Sequence, residues 1–375
     1  MDTSLLTKLM TAPEEAISHL NLVYVTDDKM PIIRERIGSD FEYRFMDRPL
    51  EQRKDVARIK ALVIPPAWEK VKITHLPHGH LQATGRDAKR RKQYRYHELW
   101  TKIRMQTKFY RMGIFGSALP HIREIVDLHL EQNEWTKTKV MALVVRLMEE
   151  THIRIGNEQY AKRNKTYGLS TLRKRHVAIT KNGLRLNFTG KRGKKHTVTI
   201  RNQKLVRLVG QCEEIPGWEL FHYYDVSGKK QAIDSSMVNT YLKEIGGHDF
   251  TAKDFRTWAA GIVFFNALMT MEAASDQKTI KQNILIAYDE TAKALGNTRK
   301  VCRTSYVHPL LPMSYENGTL EQYAVLAKND TATTPNFSPS ESAVLQLISN
   351  YEPNFKITNN ENRCTKCLER NDEPD

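Results

Sequence analysis

Between Gln159 and Cys212 the chain carries fifteen lysines and arginines and no aspartate or glutamate. The net charge of the 375-residue chain is +15, so this one stretch holds the whole surplus and the remainder is charge-balanced. Folding gains nothing from gathering like charges, whereas a polyanionic partner does, and the pattern points to nucleic acid. A second basic stretch interleaves Arg86, Lys89, Arg90, Arg91, Lys92 and Arg95 with Gln93, Tyr94 and Tyr96. Cations there can hold phosphates while the amide and the phenols reach sugars and bases. The sequence has no GxxxxGK[ST] loop to cradle a triphosphate, no HExxH and no acidic cluster suited to paired metal ions. An enzyme that breaks a phosphodiester without such help needs a side-chain nucleophile, cations on the non-bridging oxygens and an acid for the leaving oxygen.

The elements that must position such groups are legible in outline. Leu22 to Val25, Tyr43 to Phe45, Val71 to Thr74 and Gln93 to Tyr96 are β-branched or aromatic runs separated by turn residues, which predicts a small sheet domain. Past His97 the pattern changes: Val140, Leu143, Val144 and Leu147 follow the spacing of a buried helix face, and this helix delivers Arg154 at its far end. His176 to Thr180, Leu184 to Phe188 and Thr197 to Ile200 read as a meander interrupting the helices, with a type I′ turn at Asn182-Gly183. Lys191 falls on the second turn, Gly190 to Gly193. Helices are expected over Thr257 to Ala274 and Lys278 to Leu295, the latter stopped by Gly296. Beyond about Leu326 the chain turns polar, with a short helical stretch over Glu341 to Ser349 in a tail read as peripheral. The longest apolar run, Val140 to Val145, is far below the roughly 18 to 20 residues of a membrane span. No leader pattern opens the chain, and four cysteines are too few for a disulfide scaffold, so the expected location is cytoplasmic, nucleoid-associated in a bacterium. Cys364 and Cys367 form a lone CxxC, two ligands of the four a structural zinc needs, and no metal site is expected.

Six ordered motifs carry a resemblance. IPPAW (Ile64 to Trp68), ATGRDAKRRKQYRYH (Ala83 to His97), IRIGNEQYAKRNKTYGLSTL (Ile153 to Leu172), FTGKRGK (Phe188 to Lys194), KDFRTW (Lys253 to Trp258) and GNTRKVCRTSYVHP (Gly296 to Pro309) resemble the type IB DNA topoisomerases, in the short form of bacteria and large DNA viruses. The likeness runs from about residue 20 to about residue 325. It implies that Tyr306, one of fifteen tyrosines and not distinguishable by spacing, is the nucleophile. A phenol of pKa about 10 needs a strongly electropositive site. Arg154 and Arg256 correspond to the two phosphate-clamping arginines, Lys191 to the general acid and Lys253 to an assisting phosphate-site lysine. Gln93, Tyr94, Tyr96 and Tyr160 match DNA-contacting positions. Asn297 departs from the viral pattern, which has histidine nine residues before the nucleophile; an amide donates a hydrogen bond without charge.

The implied fold is α+β: a small β-rich N-terminal DNA-binding domain (21–98) after an N-terminal extension (1–20), a linker near 97 to 102, and a larger, mostly helical catalytic domain (102–326) with an inserted β-hairpin. These are expected to close as a C-shaped clamp around DNA, with 327–375 as a C-terminal tail. The implied function is ATP- and metal-independent relaxation of supercoiled duplex DNA by a monomer, with no cofactor, through a 3′-phosphotyrosyl intermediate. A tyrosine recombinase would share this chemistry, but ordinarily with a helical core-binding domain and histidine where this chain has Thr257. A non-catalytic basic nucleic-acid-binding protein would need only the charge block. The charge block predicts duplex affinity that falls steeply with salt. Neutralising Arg173, Lys174 and Arg175 is expected to reduce the log-log salt slope by roughly 0.9 for each phosphate that these side chains engage, and an unchanged slope would move the interface elsewhere.

Overall fold

The computed structural model describes residues 3–272, 276–329 and 335–355. The chain forms two compact units: one takes the chain up to Lys108 together with the stretch from Glu352, the other spans Phe109–Tyr351.

The first unit is built on a six-stranded antiparallel sheet in the order β3-β2-β1-β4-β5-β6. Its strands are β1 (Ile32–Ile37), β2 (Asp40–Phe45), β3 (Arg48–Pro49), β4 (Glu69–Ile73), β5 (Leu81–Arg86) and β6 (Lys92–Tyr96). Strand β4 shows the period of two on which a half-buried strand depends: Val71 and Ile73 are buried with Ile32, Ile59 and Ala83, while Lys70 and Lys72 face solvent. The Ile64 to Trp68 motif is pinned to this sheet by Arg34, whose guanidinium donates to the carbonyls of Ile64 (3.1 Å), Pro65 (3.0 Å) and Trp68 (2.8 Å). Leu22 to Val25, expected as a strand, makes a single bridge from Val23 to Gly79 and stays outside the sheet.

The expected linker near 97 to 102 is helical. A helix begins at Glu98 and runs without interruption to Leu130. In the second unit, the helix Lys137–Thr151 is capped by the Thr136 hydroxyl and buried nearly all round. Val140, Leu143, Val144 and Leu147 are all fully buried, as their spacing predicted. The meander is three-stranded, β7 (Val177–Thr180), β8 (Gly183–Thr189) and β9 (Lys195–Ile200), with Leu184, Leu186 and Ile200 turned into the core. Its first turn differs from expectation. Thr180 pairs with Gly183, so Lys181 and Asn182 occupy the turn, and neither has the positive φ of a type I′ turn. Gly183, at φ +126°, is there because a Cβ would lie 2.3 Å from the Ile200 carbonyl oxygen.

The helix Ala252–Met269 starts five residues before the expected Thr257, through a capping box of Thr251 and Asp254, and so includes Lys253 and Arg256. The helix Gln277–Leu295 ends at Gly296 in the left-handed conformation, as expected. The expected tail helix forms as Pro339–Ser349, but it is not peripheral. Ala343, Val344, Leu347 and Ile348 enter the main core. Glu341, nearly buried, takes a two-pronged bond from Arg123 (2.7 and 3.0 Å) and a third from the Trp258 indole nitrogen (3.0 Å). The CxxC of Cys364 and Cys367 lies outside the described residues.

Burial raises the pKa of the Glu341 carboxyl, but Arg123 outweighs it and the net shift is downward. The pair is therefore intact above the ordinary carboxylate range and lost as pH falls through the lowered value. Arg123 also bonds Glu149 (2.6 Å) and keeps that carboxylate when Glu341 is neutralised, so Glu341→Gln is expected to destabilise the protein by about 1 to 3 kcal/mol at neutral pH, the cost of weakening charged hydrogen bonds in a buried site. Denaturant unfolding of the two proteins measures it.

Candidate active site

Arg154 leaves the end of the Lys137–Thr151 helix after His152, which caps that helix in the left-handed conformation. Its strand-like segment is zipped to residues 168–170: Leu169 donates to the Arg154 carbonyl (2.9 Å) and Ser170 to the Ile155 carbonyl (2.7 Å). The approach is so close that a Cβ on Gly168 would sit 2.4 Å from the Arg154 oxygen. The two halves of the Ile153 to Leu172 motif thus fix the root of one arginine.

Arg256 lies one turn into the Ala252–Met269 helix and is 4% exposed. Its guanidinium donates to the His152 carbonyl and to the Leu295 carbonyl (2.8 Å). Both acceptors stand at the C-terminal ends of helices, where unsatisfied carbonyls and the macrodipole favour a cation. Burial, and then the nearby Arg154, lower its pKa to about 10, while Tyr306 acts in the opposite sense. The group stays charged at neutral pH with no carboxylate partner among the described residues. Its Cζ is 5.8 Å from the centre of the Tyr306 ring.

Tyr306 ends the helix Arg299–Ser305 with its backbone out of helical geometry and its amide on the Cys302 carbonyl (3.1 Å). Asn297 follows the glycine that ends the preceding helix, and its Oδ1 accepts a hydrogen bond from Arg154. Arg154, Arg256, Asn297 and Tyr306 are therefore brought together. Two buried donors of this cluster, Arg256 Nε and Asn297 Nδ2, have no hydrogen-bond acceptor of good geometry among the described residues. Buried donors are rarely left so, and an anion with several oxygens fits the need. Cys302, one helical turn before Tyr306 and fully buried, was not singled out by sequence. Burial pushes its thiol pKa up, offset in part by Asn297, Arg256 and Arg154.

Lys191 stands exposed in the β8–β9 turn, which is closed by bonds from Gly190 N to Lys194 O (2.7 Å) and Gly193 N to Gly190 O (3.1 Å). Arg192 takes a left-handed φ of 64° to make that turn. Lys253 is exposed three residues before Arg256, on the same side of the helix. Tyr160, 45% exposed, lies in the helix Glu158–Asn164, capped by Asn157.

Gln93, Tyr94 and Tyr96 belong to the first unit, on edge strand β6. The tyrosines, two residues apart, share a face with rings 5.9 Å apart and nearly parallel, each 45% exposed. Asp87 shapes the turn before them, accepting from the amides of Lys89 and Arg91 and from the Gln93 side chain (3.0, 2.9 and 3.0 Å). The Arg91 side chain leads the causes that hold its pKa down to about 2. Among the described residues no group of histidines, cysteines and acids is arranged to hold a metal ion, and no helix is long and apolar enough to cross a membrane.

A β-rich unit followed by a mostly helical unit that carries this cluster is the α+β architecture of a type I topoisomerase. Residues 98–326 match the family described as eukaryotic DNA topoisomerase I, catalytic core, and residues 40–87 match the bacterial DNA topoisomerase IB N-terminal domain. DNA topoisomerase 1B of Acanthamoeba polyphaga mimivirus is 35% identical over 307 residues, 80% of this chain and 91% of the relative. DNA topoisomerase 1B of vaccinia virus (strain Copenhagen) is 22% identical over 225 residues, 60% of this chain and 68% of the relative. DNA topoisomerase 1 of rabbit fibroma virus is 26% identical over 231 residues, with the same two shares. The chain belongs to the type IB DNA topoisomerase family.

Asn297→Ala removes both the acceptor on Arg154 and the adjacent donor. Removing one such preorganised donor costs about 2.7 to 4 kcal/mol, so strand cleavage is expected to slow on the order of 10²-fold or more, with duplex affinity within a few-fold. Neutral imidazole also offers one acceptor and one donor. Asn297→His is therefore expected to recover much of the rate at high pH and to lose it as protonation removes the acceptor. Single-turnover rates across pH, beside melting curves, check this. An Ala variant with the parental rate and a lower melting point would leave Asn297 as a turn residue only.

Proposed function

We propose that this topoisomerase relaxes supercoiled duplex DNA without ATP or metal, through a 3′-phosphotyrosyl intermediate formed by Tyr306. The observation that carries the reading is the Tyr306 ring set beside the buried Arg256, which has no carboxylate partner among the described residues, with Arg154 tied in through Asn297. The Tyr306 oxygen attacks phosphorus, its proton passing to water, while Arg154 and Arg256 take up the charge that develops on the non-bridging oxygens. The P–O5′ bond breaks, and Lys191 gives its proton to the departing oxygen. The 5′-hydroxyl end rotates under torsion. Attack of that hydroxyl on the phosphotyrosine reverses the step, and no external energy is needed because a phosphodiester is exchanged for a phosphodiester.

Gln93, Tyr94 and Tyr96 on one unit and Tyr160 and Lys253 on the other are the proposed DNA contacts, with residues 21–98 and 102–326 as the domains that carry them. The protein acts as an intracellular monomer in this reading. The six-stranded sheet of the first unit, and the match of residues 40–87 to a topoisomerase N-terminal domain, stand against the recombinase alternative.

Tyr306→Phe is expected to abolish relaxation and the covalent adduct while leaving DNA affinity within a few-fold, because only the nucleophilic oxygen is removed. Incubation with end-labelled duplex in chelator, quenched with detergent, reads the adduct. An adduct forming on the Phe variant at the parental rate would remove Tyr306 from the mechanism, and a parent inactive in chelator would remove metal independence.

A further inference from the structure

His196 opens onto no role assigned above, yet its ring is wedged between the two turns that carry Lys191 and Asn297. It lies in β9, flat against Phe188 of β8, with ring centres 5.1 Å apart and planes 9° from parallel. One edge faces the Lys191 turn: a Cβ built on Gly190 would lie 2.7 Å from its Cδ2 and 2.7 Å from its Nε2. The Cε1 atom faces the other turn: a Cβ on Gly296 would lie 2.7 Å from it. Side-chain carbons do not approach so closely, so both turns meet the ring only because both residues are glycine. Gly190 needs no glycine for its backbone, at φ −95° and ψ −164°. Its lack of a side chain is explained by the ring beside it.

We infer that His196 is a positioning residue, a wedge that sets the Lys191 turn at a fixed distance from the Gly296-Asn297 turn and so from the Arg154 that Asn297 holds. This rests on the reading of Lys191 as the proton donor. The physical case is one of stiffness. Lys191 is exposed on a short turn with two consecutive left-handed residues, Arg192 and Gly193, and a proton donor must be held to a fraction of an ångström. The stack on Phe188 anchors the ring to β8, and its two edges transmit that anchor to both turns. Burial, followed by Arg154, Lys194 and Arg256, lowers the imidazole pKa. That favours the uncharged ring, which suits a spacer and does not add a further cation between two arginines and a lysine.

The test compares single-turnover cleavage of ordinary duplex with cleavage of a duplex whose bridging 5′ oxygen at the scissile bond is sulfur. A thiolate departs without a proton. A misplacement of about 1 Å can cost on the order of 10²-fold, so His196→Ala is expected to slow cleavage of ordinary DNA at least about tenfold, and the defect is expected to shrink to a few-fold on the sulfur substrate. Gly190→Ala, which drives a methyl against the ring, is expected to give the same selective defect. With the ring gone that methyl has room, so Gly190→Ala/His196→Ala is expected to be no slower than His196→Ala alone. Lys191→Ala run in parallel keeps the two claims apart. If sulfur rescues Lys191→Ala but not His196→Ala, the wedge is wrong while the acid stands. If sulfur fails to rescue Lys191→Ala, the acid reading falls and takes the proton-transfer part of the inference with it; additive Gly190 and His196 defects would overturn the wedge itself. Melting curves identify a variant that has merely lost its fold, whose defect would be equal on both substrates.

Discussion

A guanidinium buried to 4% exposure, with no carboxylate beside it among the described residues, is the constraint around which the second unit is arranged. Burying a lone charge is costly unless polar groups replace the lost water. Here the replacements are the carbonyls of His152 and Leu295, each at the C-terminal end of a long helix. Helix ends offer partial negative charge without a formal anion. Arg256 is thereby solvated by protein while its full positive charge remains uncancelled, which a salt bridge would not have allowed. Two helices must therefore end at defined places, and each does so through a left-handed cap, His152 on one and Gly296 on the other.

Those two caps also deliver the next residues of the site. The chain leaving His152 presents Arg154, and the chain leaving Gly296 presents Asn297, so the groups that meet each other start from the same two points that hold Arg256. Geometry is inherited from one locus. The helix bearing Arg256 is fixed from behind by Trp258, bonded to the Glu341–Arg123 pair, and this is why a segment so late in the chain is built into the core. Position within a packed helix is what converts a surface-type residue such as arginine into a fixed charge.

Periodicity made some of this legible. The buried face of Lys137–Thr151 and the alternation of β8 and β9 are direct consequences of burying one face at the period of the backbone, whereas β7 leaves Ile179 exposed. Strand β5 escaped because Leu81 to Gly85 is covered on both sides and contains Gln82, Thr84 and Gly85, so neither alternation nor β-branched enrichment marks it. Strand β1 escaped because its buried face includes Arg34, spent on three carbonyls and indistinguishable in sequence from a solvated arginine. Leu22 to Val25 has the composition of a strand, but Val23 and Tyr24 are exposed and a single bridge was all it found.

The site was legible by another route. Nothing in spacing separates Tyr306 from fourteen other tyrosines, or Arg256 from other arginines; only ordered motifs did, and motifs name residues without giving their partners. What the motifs could not convey is that their glycines, Gly168 in one, Gly190 in another and Gly296 in a third, stand where some other group comes too close for a side chain: the Arg154 carbonyl against the first, and one histidine ring against the other two. A glycine in a motif reads as a turn, whereas here it also records a close approach by a segment distant in sequence or by a neighbouring ring. Arg154, Lys191 and Asn297 lie far apart in sequence, and the bare backbone between or beside them is what lets their segments approach. That is a tertiary property, written one atom at a time as the absence of Cβ, and it becomes readable only when the coordinates show what occupies the space.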